Sequence, residues 1–208
     1  MDSELATTAR TGNTGRLALF LIGFYYLPTV LIWRGFLPFE HRFAVLVILT
    51  LVVAAYSLYI GLTIRDLGFR RDTLAGALTV NGILSVLIVL ALYILFKANL
   101  LREPTLPKWS LFYPFYVLVS GPAQEFLFRS VLFAEMARNG IRSPLLLVLI
   151  SAITYSFLHV IYNDAITLVV TLVMGITWGC IYQRFPNFWG VTLSHVVLGI
   201  VAMLVGLI

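Results

Sequence analysis

Long runs of apolar residues, separated by short polar segments, make up most of the chain. A helix needs about 20 mainly apolar residues to cross the ~30 Å hydrocarbon core of a bilayer. Seven runs reach or approach that length, and they predict seven transmembrane helices over residues 17–33, 43–64, 75–96, 111–136, 144–162, 165–182 and 188–208. The pattern therefore predicts an all-α membrane protein, a bundle of about seven transmembrane helices.

The same pattern divides the chain into three parts. Residues 1–16 form a polar N-terminal tail, residues 17–110 hold three helices, and residues 111–208 hold four. The first apolar run is too long for the core of a typical signal peptide, and no cleavage site of small residues follows it. We therefore expect the first helix to anchor the chain rather than to be removed.

Composition excludes several other classes of protein. The 208 residues are 61% hydrophobic and 11% charged, whereas a soluble domain is about 45–50% apolar and about 25% charged. Disordered chains are polar and charge-rich, and the single cysteine, Cys180, excludes a disulfide framework. The net charge of +5 comes from Arg and Lys residues scattered between apolar runs, as in membrane-protein loops. We expect no nucleic-acid partner.

A few ionisable side chains lie inside the predicted helices, where each costs about 2.5–3.5 kcal/mol on insertion scales and therefore suggests function. Glu125 and Arg129 are four residues apart, a spacing that favours an ion pair on one helix face. Glu135 stands near the end of the same run, where we expect it to meet water or headgroups. Two histidines, His159 and His195, and one amide, Gln124, also lie inside predicted helices.

A carboxylate and an imidazole can together activate water, while a second polar group stabilises a developing oxyanion. Glu125, His159 and His195 could also bind zinc, but without a His-Glu-x-x-His helix we favour a site without a cofactor. Gly121 and Pro122 precede the carboxylate and should loosen its helix. With the predicted limits, the two histidines differ in depth by about 10 Å, so they meet only if helices extend or tilt.

These residues resemble the motifs of the CPBP family, the CAAX-protease and bacteriocin-processing intramembrane proteases with an Abi-type domain. The family's first motif is a pair of glutamates with an arginine four residues beyond the second. Its second motif is an aromatic residue four before a histidine, and its third is a histidine with an asparagine four residues later. The matching positions here are Gln124, Glu125 and Arg129, then Tyr155 and His159, then His195 and Gly199.

The resemblance implies an intramembrane endopeptidase, either of glutamate type or metal-assisted. A carboxylate and His159 would activate water and His195 would stabilise the oxyanion, with Arg129, Tyr155 and Gly199 in supporting positions. It implies a membrane-embedded, lipidated or otherwise hydrophobic protein or peptide as substrate, and the lipid bilayer as surroundings. Family members process prenylated proteins or are linked to bacteriocin maturation and immunity, so we expect a multi-pass protein of a prokaryotic plasma membrane.

Two positions depart from the family pattern, and they leave several interpretations open. Gln124 replaces the first glutamate, and an amide is not a base; Gly199 replaces the asparagine. Glu125 could take over as the base together with His159 after a local rotation, which is the interpretation we favour. Alternatively, the chain is an inactive scaffold or immunity or sorting partner, or Gln124 is an engineered change. A proton relay or transporter is a further hypothesis, but paired broken helices in two related halves are absent from the pattern.

Overall fold

Residues 14–107 and 110–208, which the computed structural model describes, contain seven helical segments and no strand. Five segments are long and apolar enough to cross a membrane, so the predicted all-α membrane bundle is confirmed. The segments are α1 (Thr14–Trp33), α2 (Phe39–Tyr59), α3 (Leu74–Lys97), α4 (residues 112–138), α5 (Pro144–Tyr162), α6 (Ala165–Arg184) and α7 (Phe188–Leu204).

Two predicted helix ends were wrong, for the same physical reason. The second run was expected to stay helical to residue 64, but α2 ends at Tyr59. The last run was expected to reach residue 208, but α7 ends at Leu204. Gly61 and Gly206 follow these ends with φ of +77°, a left-handed conformation that glycine adopts at low cost and that closes a helix.

The first helix begins earlier than the predicted residue 17. Residues 1–13 lie outside the described residues, and α1 begins at Thr14, so Arg16 is already helical. The Arg16 guanidinium donates to the Tyr56 hydroxyl of α2 at 2.9 Å. Its Nε atom lies 3.6 Å from the Glu135 carboxylate of α4. The start of α1 is therefore tied to two other helices.

The expectation that Glu135 meets water or headgroups was wrong, because its side chain is 0% exposed. The Oε1 atom accepts hydrogen bonds from the Tyr56 hydroxyl and from Asn139 Nδ2, both at 3.0 Å. With Arg16 of α1 nearby, donors from α1, α2 and the turn after α4 replace the water that this carboxylate would otherwise need.

The α4 segment lies at the centre of the bundle. Between residues 121 and 136 none of its side chains is exposed, while α3 exposes most of its surface. The predicted loosening around Gly121 takes the form of wide π-helical turns, Tyr116–Ser120 before it and Phe126–Val131 after Glu125. Such turns concentrate at functional sites. The buried apolar residues of α4 are Phe112, Ala123, Leu127, Phe128, Val131, Leu132, Phe133 and Met136.

Glycine allows α7 to approach α4 closely beside the polar centre. A Cβ atom at Gly121 would lie 2.6 Å from Cγ2 of Val196, and one at Gly190 of α7 would lie 2.7 Å from Cβ of Ala77 in α3. Helix pairs in membranes pack closely through small residues of this kind. The approach of α4 to α7 brings Glu125, one turn after Gly121, into contact with His195, which precedes Val196.

Candidate active site

The central contact joins α4 to α7. Oε1 of Glu125 lies 2.5 Å from Nδ1 of His195, with the side chains 0% and 3% exposed. Because an ionised carboxylate only accepts hydrogen bonds, Nδ1 is the donor. The other ring nitrogen, Nε2, lies 3.3 Å from the Tyr155 hydroxyl. Each ring nitrogen of His195 therefore has a polar partner, a carboxylate at Nδ1 and a phenol at Nε2.

Arg129 completes the charge balance of this centre. Its Nε atom lies 3.3 Å from Oε2 of Glu125, which is the ion pair predicted from the four-residue spacing, and both side chains are 0% exposed. The guanidinium carbon stands over the rings of Tyr155 at 4.3 Å and Trp178 at 5.6 Å. Within the described residues, Nη1 and Nη2 have no hydrogen-bond partner, so aromatic faces surround the buried cation.

Tyr155 brings the two histidines together. Its hydroxyl faces His195, while its backbone oxygen lies 3.0 Å from Nδ1 of His159. The ring centroids of His159 and His195 lie 4.9 Å and 5.7 Å from the Tyr155 ring. The histidines therefore converge on one aromatic ring, in spite of the difference in depth expected from the predicted helix limits.

The contact of His159 determines which of its nitrogens carries hydrogen. A backbone carbonyl only accepts, so Nδ1 must donate to Tyr155, and Nε2 of the neutral ring keeps its lone pair. His159 opens a 3₁₀ turn, His159–Tyr162, at the end of α5 and is half-buried. It can therefore accept a proton at Nε2, and its contact is with Tyr155 rather than with Glu125.

Gln124 lies beside Glu125 and is 7% exposed. Its Nε2 atom donates to the Ser120 hydroxyl at 3.1 Å, one turn earlier in α4. Its Oε1 atom is buried without a hydrogen-bond partner in the described part of the chain. The side chain therefore offers an acceptor, although it cannot remove a proton.

The three candidate zinc ligands make other contacts in the observed arrangement. A shared ion would need lone pairs from Glu125, His159 and His195 directed at one point. Instead, Glu125 and His195 are hydrogen-bonded to each other, and His159 contacts a backbone oxygen. Across residues 14–107 and 110–208, no three His, Cys, Asp or Glu side chains are close enough to hold a metal.

Trp178 of α6 is a site residue that the sequence did not reveal. Its indole stacks on the His195 ring, with centroids 4.8 Å apart and planes 20° from parallel. The indole Nε1 donates to Ser194 at 3.0 Å, and Ser194 also accepts from Ser85 of α3 at 3.0 Å. One aromatic residue in an apolar helix resembles any core residue, so no sequence pattern could have identified it.

Tyr116 is a second residue that sequence reasoning missed. It lies in the π-helical turn of α4, and its ring centroid is 6.2 Å from that of His195. A Cβ atom built on Gly199 would overlap the Tyr116 hydroxyl. The residue that departs from the family pattern thus faces a tyrosine, and the missing side chain at position 199 was the only available signal.

The bundle of apolar helices encloses a carboxylate–imidazole pair and a second imidazole, so the chain belongs to the helical membrane proteins that have a buried polar centre. Residues 106–201 match the family model described as Type II CAAX prenyl endopeptidase Rce1-like, so the resemblance of this segment to the CAAX proteases is confirmed. All the candidate site residues lie inside this segment. The comparisons with curated proteins and with solved structures found no match.

Proposed function

We propose that the protein is an intramembrane endopeptidase that hydrolyses a peptide bond in a membrane-anchored, prenylated or otherwise hydrophobic substrate. The match to the Rce1-like family model supports a protease that acts on a membrane-associated substrate. The observation that carries the proposal is the fully enclosed Glu125–His195 hydrogen bond, balanced by Arg129 and adjacent through Tyr155 to a second histidine.

His159 is the base in this proposal. As the oxygen of a water molecule bonds to the substrate carbonyl carbon, one water proton passes to Nε2 of His159. The imidazolium then returns that proton to the amide nitrogen, the carbon–nitrogen bond breaks, and the products are a carboxylic acid and an amine. The unpartnered Oε1 atom of Gln124 accepts a hydrogen bond from the same water and orients it.

Glu125 acts through His195. Its side chain is hydrogen-bonded to His195 and ion-paired with Arg129. If this side chain rotated toward His159, both contacts would break. Its negative charge stabilises positive charge on the His195 ring, and Nε2–H of that ring can then donate to the tetrahedral oxyanion. The 3.3 Å contact of Nε2 with Tyr155 is long for a hydrogen bond, so a substrate oxygen can replace the hydroxyl.

One observation favours a second candidate, a catalytically inactive membrane scaffold. The carboxylate at the centre has two partners already, and the neighbouring position is the amide of Gln124. Such a scaffold would bind a lipidated or hydrophobic tail without cleaving it. Substrate binding without hydrolysis, together with hydrolysis by a Gln124→Glu variant, would support this candidate.

The test uses the purified full-length protein in liposomes with a library of membrane-anchored peptides, half of them prenylated. Cleavage by wild type is compared with His159→Ala, His195→Ala and Glu125→Ala. The matched control is His41→Ala, which removes an exposed histidine outside the site. We expect the site variants to lose at least 100-fold in kcat/KM and the control to retain activity. Unchanged cleavage by the three site variants would contradict the proposal, and a chelator arm tests metal dependence.

A further inference from the structure

The Tyr116 hydroxyl fills the space that Gly199 leaves beside the backbone of α7. A Cβ atom at position 199 would overlap that oxygen and would lie 2.8 Å from Cζ and 3.2 Å from Cε1 of the same ring. Any other residue at 199 would push the tyrosine away. Gly199 and Tyr116 therefore form a matched pair across the α4–α7 contact, one turn beyond His195 in α7.

The same hydroxyl is a free donor. Within the part of the chain that the structure describes, it makes no hydrogen bond, and the Tyr116 side chain is half-buried. Because the side chain is not fully enclosed, a water or a ligand atom can pair with the hydroxyl. Four other tyrosine hydroxyls contact protein partners, those of Tyr25, Tyr26, Tyr56 and Tyr155.

The Tyr116 side chain lies next to His195, the proposed oxyanion donor. The Tyr116 ring meets the His195 ring edge-on, at 72° between planes, and its stacking on Phe112 at 5.9 Å fixes its direction. The Tyr116 hydroxyl thus lies on the α4–α7 face where the proposed tetrahedral oxyanion would form.

We infer that Tyr116 is a catalytic residue, whose hydroxyl donates the second hydrogen bond to the oxyanion beside Nε2 of His195. This inference rests on the proposed function. No proton is transferred, because the hydroxyl only strengthens its hydrogen bond as the carbonyl oxygen gains charge. The absence of a side chain at Gly199 then leaves room for the Tyr116 hydroxyl of α4, which donates in place of a side chain from α7.

The first test is Tyr116→Phe, which removes one oxygen and keeps the stacked ring. Loss of one oxyanion donor lowers kcat by about 10²–10³-fold, and we expect KM to stay within about twofold because ground-state contacts persist. Tyr113→Phe is the matched control, since it removes an unpartnered hydroxyl three residues earlier in α4. A kcat for Tyr116→Phe equal to that of wild type would overturn the inference.

A double-variant cycle separates catalysis from packing. Gly199→Ala displaces the hydroxyl and should reproduce the loss in kcat of Tyr116→Phe. In the Tyr116→Phe background, the same alanine should lower kcat by less than about threefold, because the donor is already gone. Multiplied losses in the double variant would mean that the pair matters only for packing, and would overturn the inference. Gel filtration and thermal unfolding show that each variant is folded.

Binding of a phosphinate peptide, a tetrahedral analogue of the transition state, provides a readout without turnover. We expect Tyr116→Phe to weaken this analogue by about the factor lost in kcat, while affinity for the uncleaved substrate is kept. If wild type binds the analogue in a Tyr116-dependent way but cleaves nothing, the proposed hydrolysis fails, and only the assignment of Tyr116 as a hydrogen-bond donor to a tetrahedral oxyanion stands. Equal binding by both proteins overturns the inference alone, and absence of both binding and cleavage overturns both.

Discussion

His195 and Glu125 are hydrogen-bonded at 2.5 Å between two helices, in a layer where both side chains are almost completely buried. The carboxylate holds one ring nitrogen, and the opposite nitrogen faces Tyr155. This contact links the central helix α4 to α7. It determines the orientation of the imidazole. Because Glu125 and Arg129 are buried away from water, the stability of this centre depends on their pairing.

Arg129 is predicted to be essential for stability. Replacing it by Met leaves the buried Glu125 carboxylate without its cation, and breaking a buried pair destabilises a protein by about 3–5 kcal/mol. For a chain of this size, that corresponds to a decrease in Tm of roughly 6–20 °C, measured by thermal unfolding in detergent. Arg142→Met, at an exposed position, is the control. Equal Tm values for the two variants would argue against a structural ion pair.

Gln124→Glu is predicted to increase activity. A carboxylate at position 124 would supply a second base beside His159, and general base catalysis contributes about 10²–10⁴-fold. We expect kcat to rise by at least tenfold over wild type in the peptide-cleavage assay. Gln124→Ala should lower kcat, because the water loses its oriented acceptor. Activity found in Gln124→Glu alone would instead identify the natural chain as an inactive scaffold.

The second buried carboxylate, Glu135, is predicted to support stability and not activity. Tyr56→Phe removes a donor to Glu135 and an acceptor for Arg16, so an unmet buried group should lower stability by about 1–3 kcal/mol. Glu135 lies ten residues, about 15 Å, from the site along α4, so kcat should not change. Tyr59→Phe, which alters a ring 89% exposed in the same helix, should affect neither Tm nor kcat.

Stability in acid should depend on Asp164, which caps the N-terminus of α6. Hydrogen bonds from Thr167 and then from Arg102 lower the pKa of this carboxyl to about 2, and Arg102 also donates to the backbone of Leu207 at 2.8 Å. The contribution is complete above the unfolded pKa of about 3.9 and is lost as the pH falls toward 2.

Asp164→Asn should therefore lower Tm at pH 6 and flatten its decline between pH 4 and pH 2. The comparison is thermal unfolding across that pH range, with Glu103→Gln in the loop that contains Arg102 as the control. A wild-type Tm whose dependence on pH persists unchanged in Asp164→Asn would show that another group is responsible.

The helices and most polar site residues could be predicted because each rests on local sequence. Apolar runs identified the seven helices, and the spacing of Glu125 and Arg129 predicted their ion pair, which the structure contains. His159 and His195 stood out because imidazoles are rare in apolar runs. Such signals need no knowledge of how helices pack.

The partners across helices could not be predicted, because tilt and rotation decide them. Spacing alone did not indicate that Glu125 meets His195 and that His159 meets Tyr155. The burial of Glu135 depends on donors from α1 and α2, far away in sequence. The fit of Tyr116 against Gly199 likewise depends on a close approach of α4 to α7.

The most direct test of the central claim is the kcat/KM of wild type and His159→Ala for one prenylated, membrane-anchored peptide in liposomes, with and without added imidazole. The account predicts cleavage by wild type, a loss of at least 100-fold in the variant, and partial recovery when imidazole supplies the missing base. Equal kcat/KM for the two proteins, or no cleavage by wild type of any such peptide, would contradict it.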